Sequence, residues 1–200
     1  MTGLRVRMVA PTGWISLDLD PRTRSAWIRR LVHGRSDSSA RGDSERGSAE
    51  EWTQLQLTEL EAHLRTLADR CVTAGVDLAL VWGQLVSDAP HLLMASILVS
   101  VVPTNAGPDP THGIGRGSDR GGPGDTTAMT INGRDALRRQ QRSMRSLIGH
   151  DAPVSVLSVD YLVPVTDDLV ALINASTPTP GLDPEFGALF DQMVASLRLI

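Results

Sequence analysis

Hydrophobic and polar residues alternate along several stretches of the chain, and this period of two predicts β-strands. Neighbouring side chains in a strand point to opposite faces, so a half-buried strand has a hydrophobic residue at every second position. Residues 76–85 and 91–102 are instead rich in Val, Leu and Ile, which also favours strands. The expected strands are residues 4–9, 15–19, 76–85, 91–102, 126–131, 154–165 and 169–176. Two antiparallel pairs are expected, 76–85 with 91–102 and 154–165 with 169–176. Residues 91–102 are hydrophobic enough to lie inside the sheet.

Other segments have hydrophobic residues three and four positions apart, which predicts helices. The longest is 51–73, whose hydrophobic stripe ends at Cys71, and Gly75 is placed to end the helix. Asp20-Pro21 and Asp183-Pro184 each pair an acceptor side chain with a residue lacking an N–H, which is typical of a helix start. The last helix is expected to leave Asp191 in solvent and to bury Phe186, Leu189, Phe190, Met193, Val194 and Leu197.

One segment, 134–146, stays open between helix and strand. Its Ala, Leu, Arg, Gln and Met residues favour a helix. It follows Asn132-Gly133, a dipeptide typical of the tight turn between two antiparallel strands.

The order of these elements predicts an α+β fold, an antiparallel sheet flanked by helices as an α/β/α sandwich. We expect one domain over residues 1–200 with two disordered insertions, 34–49 and 103–125. The first insertion is almost entirely polar, and the second has seven glycines and four prolines in 23 residues. Such segments cannot bury enough hydrophobic surface to offset the entropy lost on ordering.

The last third of the chain resembles the PsbP-like superfamily, which includes the photosystem extrinsic subunit P, a nuclear Ran-binding factor and bacterial LpqN-type lipoproteins. The resemblance is carried by Tyr161-Leu162-Val163-Pro164-Val165, Ser176-Thr177-Pro178 and the helix from Phe186 to Arg198, together with Pro11-Thr12-Gly13-Trp14-Ile15 near the start. It covers about a third of the chain. It implies a strand over 134–146 and a function in binding proteins, with no shared catalytic residues to carry over.

Composition and charge narrow the class of protein. Hydrophobic residues make up 41% and charged residues 21%, which is typical of a globular protein. The uncharged run 92–102 has eleven residues, whereas a membrane-spanning helix needs roughly 20. A net charge of −4 gives no global attraction to nucleic acid or anionic lipid. We therefore expect neither nucleic acid nor a membrane as partner.

All 19 basic residues are arginine, which we interpret as the codon bias of a GC-rich, bacterial genome. Mechanisms that need a lysine, such as Schiff-base chemistry, are thereby excluded. The single cysteine, Cys71, lies on the hydrophobic stripe of its helix and is expected to be buried; a catalytic thiolate would need a histidine partner. Residues 1–10 lack the hydrophobic core of a signal peptide, so a cytoplasmic location is expected.

No motif in the chain predicts a cofactor, a metal site or catalytic residues. Gly113-Ile114-Gly115-Arg116-Gly117 would need a strand before it and a helix after it to hold a phosphate, and its proline- and glycine-rich flanks favour a flexible loop. The five histidines never fall four residues apart or near a cysteine pair. A Gly-x-Ser-x-Gly nucleophile motif is absent from the sequence.

The most unusual charge feature is a group of arginines in segment 134–146, which Asp135 alone opposes locally. It is either a solvated face balanced by acidic residues elsewhere in the fold or a surface for an acidic partner. Nucleic acid is disfavoured because no aromatic residues lie among the arginines. Trp52, which follows a polar segment, is a candidate anchor for a partner. The candidate partner contacts are Trp52, Arg134, Arg138, Arg139, Arg142 and Arg145.

These observations favour a non-enzymatic cytoplasmic interaction module, an adaptor or a chaperone-like protein, with secretion as one process that it could serve. The partner is an unidentified protein. The alternative is a small-molecule-binding protein or an enzyme with its site on the concave face of the sheet. That alternative needs converging polar residues, which the sequence alone does not assemble.

Overall fold

A computed structural model describes residues 5–38, 54–86, 89–104, 125–145, 152–179 and 181–200. The chain forms two compact units, Met1–Ser16 with Ala74–Ile200 and Leu17–Thr73. The expectation of one domain concerns the association of these units and stays a prediction.

The larger unit is built on an antiparallel sheet of seven strands in the order β2-β3-β4-β8-β7-β6-β5. Every neighbouring pair is antiparallel. Together with three helices, this sheet confirms the α+β class. The strands are β2 Ile15–Ser16, β3 Leu78–Val86, β4 Ala89–Pro103, β5 Asp125–Ile131, β6 Arg134–Arg145, β7 Val154–Pro164 and β8 Leu169–Thr177.

Strand β4 lies between β3 and β8, as its hydrophobic sequence predicts. Ile97 and Val99 are fully buried, because their side chains belong to the hydrophobic core that the last helix of the chain covers. The hairpin of β7 and β8 is also found, with Tyr161 directly opposite Ile173.

Segment 134–145 is strand β6, as the resemblance implies and against its helical propensity. Asn132 and Gly133 have φ angles of 53° and 76°, the left-handed pair that a two-residue hairpin turn requires. This turn directs the chain back along β5, and β6 then pairs with β7 on its other edge. Pairing on both edges outweighs the small propensity differences between residues.

Helix α3, Asp183–Ala195, packs on one face of this sheet, here called the α3 face. Phe190 lies at the centre of the core, fully buried, with its ring 6.5 Å from that of Trp14. Phe186 approaches Trp82 at 6.1 Å. The predicted hydrophobic face of this helix is confirmed, with Leu189 partly buried and the rest buried.

A small second sheet closes the larger unit. Strand β1, Val6–Arg7, pairs antiparallel with β9, Arg198–Leu199. The predicted strand over 4–9 is therefore two residues long. Asn132 donates a hydrogen bond to the carbonyl of Leu197 at 2.8 Å, which ties the β5–β6 turn to the end of α3.

The smaller unit contains α1, Arg24–Ser38, and α2, Gln54–Thr73. Arg24 and Asp69 join the two helices through an ion pair of 2.7 Å. Cys71 is buried, as expected, and burial raises the pKa of its thiol to about 11. Gly75 follows α2 with a φ of 69°, the left-handed conformation that commonly ends a helix.

The structure differs at the ends of the two segments that we expected to be irregular, 34–49 and 103–125. Helix α1 continues through Ser38, so residues 34–38 are helical rather than irregular. Adding a residue to an existing helix costs much less than starting one, so a polar sequence can follow. Residues 39–49 and 105–124 lie outside the described residues, whereas Pro103 and Asp125 belong to strands.

Candidate interaction surface on strand β6

Strand β6 distributes its arginines over both faces of the sheet. Successive side chains alternate, so Arg138 and Arg142 point to the α3 face. Leu137, Arg139 and Arg145 point to the opposite face, here called the second face. The segment that we identified as a single arginine-rich feature is thus two groups with different surroundings.

On the α3 face, Arg138 forms an ion pair with Asp191 of α3, with 2.8 Å between Nε and Oδ1. The hydroxyl of Tyr161 donates to the same oxygen at 2.6 Å. Gly187 leaves room for the guanidinium, since a Cβ there would lie 3.3 Å from it. Our expectation that Asp191 faces solvent is therefore wrong, because this carboxylate points to the sheet.

Burial and hydrogen bonding set the charge states of this group. Burial raises the pKa of Tyr161, and the hydrogen bond to Asp191 raises it further, so the phenol stays protonated and acts as donor. For Arg138 burial lowers the pKa, but the bond and charge of Asp191 more than compensate, and the net direction is upward. The group is a structural link between sheet and helix.

Arg142 binds the start of the same helix. Its guanidinium forms an ion pair with both carboxylate oxygens of Asp183, and this hydrogen bonding raises the pKa of Arg142. Arg142 also donates to the hydroxyl of Ser155 at 2.8 Å. The sequence correctly predicts a helix start at Asp183-Pro184, but Asp183 is the first helical residue and its side chain binds the sheet.

On the second face, Arg139 and Arg145 lack such partners: neither forms an ion pair with any carboxylate among the described residues. Arg139 is exposed and lies opposite Asp160 of β7. Arg145 donates a hydrogen bond to the hydroxyl of Ser143 at 3.1 Å. The same face carries two carboxylates, Asp160 and the exposed Asp135 of β6, and neither forms an ion pair with these arginines, so the positive charge is confined to the two guanidinium groups.

Asp160 is half-buried, and burial raises the pKa of its carboxyl. A hydrogen bond of 2.6 Å from Asn174 and the charges of Arg139 and Arg145 act in the opposite direction but do not cancel this effect. The carboxylate is bonded to the amide of the next strand and not to the arginines. Both guanidinium groups therefore remain open to another anion.

A row of polar side chains crosses four strands of the second face beside this carboxylate. The register places Gln141, Ser158, Ser176 and Ser96 in line. The Ser96 and Ser176 hydroxyls form a hydrogen bond of 3.0 Å. Ser158 is fully buried, and its hydroxyl has no hydrogen-bonding partner among the described residues. This row was not predicted, because its members come from four different strands. The only sign of it in the sequence was the presence of serines within otherwise hydrophobic strands.

The remaining candidate contacts lie apart from this surface or outside the described residues. Arg134 is exposed beside the β5–β6 turn. By contrast, Leu137, which was not among the candidates from the sequence, lies on this surface two positions from Arg139, and it is 48% exposed. Trp52 lies outside the described residues, so its proposed role as an anchor stays a prediction.

The described part of the chain holds neither a candidate metal centre nor a membrane-spanning helix. No three His, Cys, Asp or Glu side chains come together there in a way that could hold a metal ion. None of the helices described there is long and hydrophobic enough to span a membrane.

Comparison of the chain with protein-family models finds no match, and neither does comparison with curated proteins.

Proposed function

We propose that the protein is a non-enzymatic interaction module that binds an acidic segment of a partner protein through the second face of β6. The contacts are Leu137, Arg139 and Arg145, and the proposed location is the cytoplasm. The observation that carries the proposal is the difference between the two groups of arginines. Arg138 and Arg142 are paired with carboxylates of α3, whereas Arg139 and Arg145 are not paired with any described carboxylate.

The net negative charge of the chain means that an acidic partner can be attracted only by a local group of arginines. A net charge of −4 repels an acidic partner at long range. Binding therefore needs close contact with a positive site, where a guanidinium can form two parallel hydrogen bonds with a carboxylate. Such contacts are screened by salt, so the proposed complex weakens as ionic strength rises.

Leu137 adds a hydrophobic contact to this surface. Scattered exposed hydrophobic residues are normal on proteins, but this one lies two positions from Arg139 on the same face. In an extended segment, a carboxylate and a hydrophobic side chain two residues apart lie on the same face. Such a pair matches the spacing of Leu137 and Arg139. The partner segment is therefore extended, with acidic and hydrophobic residues alternating on the bound face.

The PsbP-like resemblance supports the same class of function. We propose that the sheet and its closing helix are a PsbP-like arrangement, on the strength of the residue pattern in 161–165 and 186–198. Members of that superfamily act mainly by binding proteins, with no shared catalytic residues. An adaptor or a chaperone-like role fits this resemblance.

The direct test uses as probe a fluorescein-labelled peptide of repeated Asp-Ser-Val-Ser, in which Asp and Val alternate along one face of the extended chain. Fluorescence anisotropy should detect binding at low ionic strength that weakens as salt is added. Replacing Arg139 and Arg145 together by Gln should raise Kd about tenfold or more, the effect expected for losing charged hydrogen bonds. Arg70→Gln, an exposed arginine at the end of α2, is the matched control and should change little. Equal affinities of both variants would contradict the proposal.

A second candidate function is the binding of a small polar molecule by the row of hydroxyls on the second face. The unpartnered hydroxyl of buried Ser158 favours it, because a buried polar group without a partner costs about 1–3 kcal/mol. Asn174 and Asp160 lie in the adjoining row and could contribute further hydrogen bonds.

Native mass spectrometry of the purified protein tests this second candidate. A bound molecule of defined mass that is lost in Ser158→Ala, but kept in Ser143→Ala, would support it. Masses that correspond to the chain or its dimer with nothing bound would count against it and would leave the interaction module as the proposed function.

A further inference from the structure

Strand β5 is an edge of the large sheet, and its outer side pairs with no described strand. Five of its seven residues are exposed, the exceptions being Met129 and Ile131. Edge strands are usually protected from pairing by basic residues, prolines or bulges. Strand β5 contains neither a basic residue nor a proline, and its register with β6 is continuous.

The hairpin geometry determines which backbone groups of β5 point outward. In a two-residue hairpin the residues flanking the turn, here Ile131 and Arg134, exchange backbone hydrogen bonds. Bonded and non-bonded pairs then alternate along the ladder. The N–H and C=O groups of Thr126, Ala128 and Thr130 therefore point away from β6 and can pair with another strand.

We propose that β5 pairs antiparallel with β5 of a second copy of this chain, on a two-fold axis at Ala128. This register places Ala128 opposite Ala128 of the second copy and Thr126 opposite Thr130 of the second copy. The three side chains are short and share one face, and directly opposed threonines stabilise a strand pair. An interface with two-fold symmetry must be complementary to itself. Thr126, Ala128 and Thr130 meet this condition, because their residue types have the same order when read from either end.

Charge favours the same arrangement on the other face. Asp125 would lie opposite Ile131 of the second copy, whose neighbour in β6 is Arg134. Asp125 and Arg134 of the second copy would then be two strand spacings apart, about 9.6 Å. An extended arginine and an aspartate side chain can span that separation, and symmetry forms the contact twice. Both residues are exposed, and neither has an ion pair among the described residues.

This inference is independent of acidic-partner binding, because it uses the edge of the sheet and not its second face. Leu137, Arg139 and Arg145 stay uncovered in the proposed dimer. Their two copies would lie on one face of a continuous sheet, which allows a dimer to bind a partner at two positions.

Sedimentation velocity over a concentration series tests the dimer. The wild-type protein should reach twice its chain mass of 21.5 kDa. Ala128→Pro removes an outward N–H that the β5–β6 ladder does not use, so it should leave a folded monomer, whereas Ala128→Val keeps the N–H and should dimerise. Far-UV circular dichroism checks that both variants are folded.

A charge exchange provides the second arm. Asp125→Arg alone and Arg134→Asp alone should each weaken the dimer several-fold, and the double variant should restore it. A monomeric wild type at the highest concentration, or a dimer that persists in Ala128→Pro, would overturn the inference. A monomer whose β5 pairs with a strand of a different protein would also overturn it, without affecting the proposed binding by Arg139 and Arg145.

Discussion

The hydroxyl of Tyr161 lies 2.6 Å from a carboxylate oxygen of Asp191, so the only tyrosine of the chain connects strand β7 to the closing helix α3. Arg138 donates to the same oxygen. The acceptor is thus shared by a phenol and a guanidinium whose side chains come from neighbouring strands. This arrangement uses Arg138 inside the protein and separates it from the surface that we propose for a partner.

We predict that Asp191→Ala lowers the free energy of unfolding by about 1–3 kcal/mol, because it leaves two donors at a partly buried site without their acceptor. Asp167→Ala, in the exposed turn between β7 and β8, should have almost no effect. Urea denaturation followed by circular dichroism measures both. Equal stabilities of the two variants would show that the Asp191 bonds contribute nothing.

Phe190→Ala should be more harmful, with a loss of about 3–5 kcal/mol, since it opens a cavity in a closely packed core. A domain of ordinary size has only about 5–15 kcal/mol of stability in total, so the melting temperature should fall clearly. Leu182→Ala, which removes a partly exposed side chain just before α3, is the comparison. Similar melting temperatures for both would mean that Phe190 is not the centre of the core.

The sequence was sufficient for elements whose signals are local. Asn132-Gly133 predicts the turn that the left-handed angles confirm, and residues 91–102 predict an interior strand. The hydrophobic face of α3 follows from the spacing of Phe186, Phe190 and the other hydrophobic residues.

The sequence was not sufficient where contacts between distant parts of the chain determine the structure. Segment 134–145 has helical propensity, but its arginines bind Asp183 and Asp191, which lie 41 and 53 positions away along the chain. Once β6 pairs on both edges, the alternation of a strand assigns Arg138 and Arg139 to opposite faces. Neither the carboxylate partners nor this division can be obtained from a count of arginines.

The burial of Asp160 should make the stability of the fold depend on pH. Because burial raises the pKa of this carboxyl, the folded state holds the proton more strongly than the unfolded state does. The group therefore favours folding most at pH values below the ordinary aspartate pKa, and this contribution is lost as pH rises through the folded pKa.

Asp160→Asn should accordingly be more stable than the wild type near neutral pH and show little gain in acid. The amide keeps the oxygen that accepts the bond from Asn174. Asp168→Asn, in an exposed turn, should show no such pH-dependent difference. Thermal melts at a series of pH values measure this, and a gain for Asp160→Asn that grows toward low pH would contradict the assigned cause.

We predict that Cys71 reacts slowly with thiol reagents in the folded protein. Its side chain is buried, and a thiol pKa of about 11 leaves it protonated near pH 8, whereas the thiolate is the reactive form. Ellman's reagent should titrate one thiol rapidly in guanidinium chloride and only slowly without it. Reaction of the native protein at the rate of the unfolded chain would show that Cys71 is accessible.

The most direct test of the interaction function is quantitative affinity capture from an extract of the source cells. The wild-type protein, the double variant Arg139→Gln and Arg145→Gln, and Arg70→Gln are immobilised in parallel, and bound proteins are compared by mass spectrometry. We predict at least one protein that the wild type and Arg70→Gln retain in low salt and that the double variant loses. If no protein bound by the wild type depends on Arg139 and Arg145, the second face of β6 is not the binding surface and the proposed function is wrong.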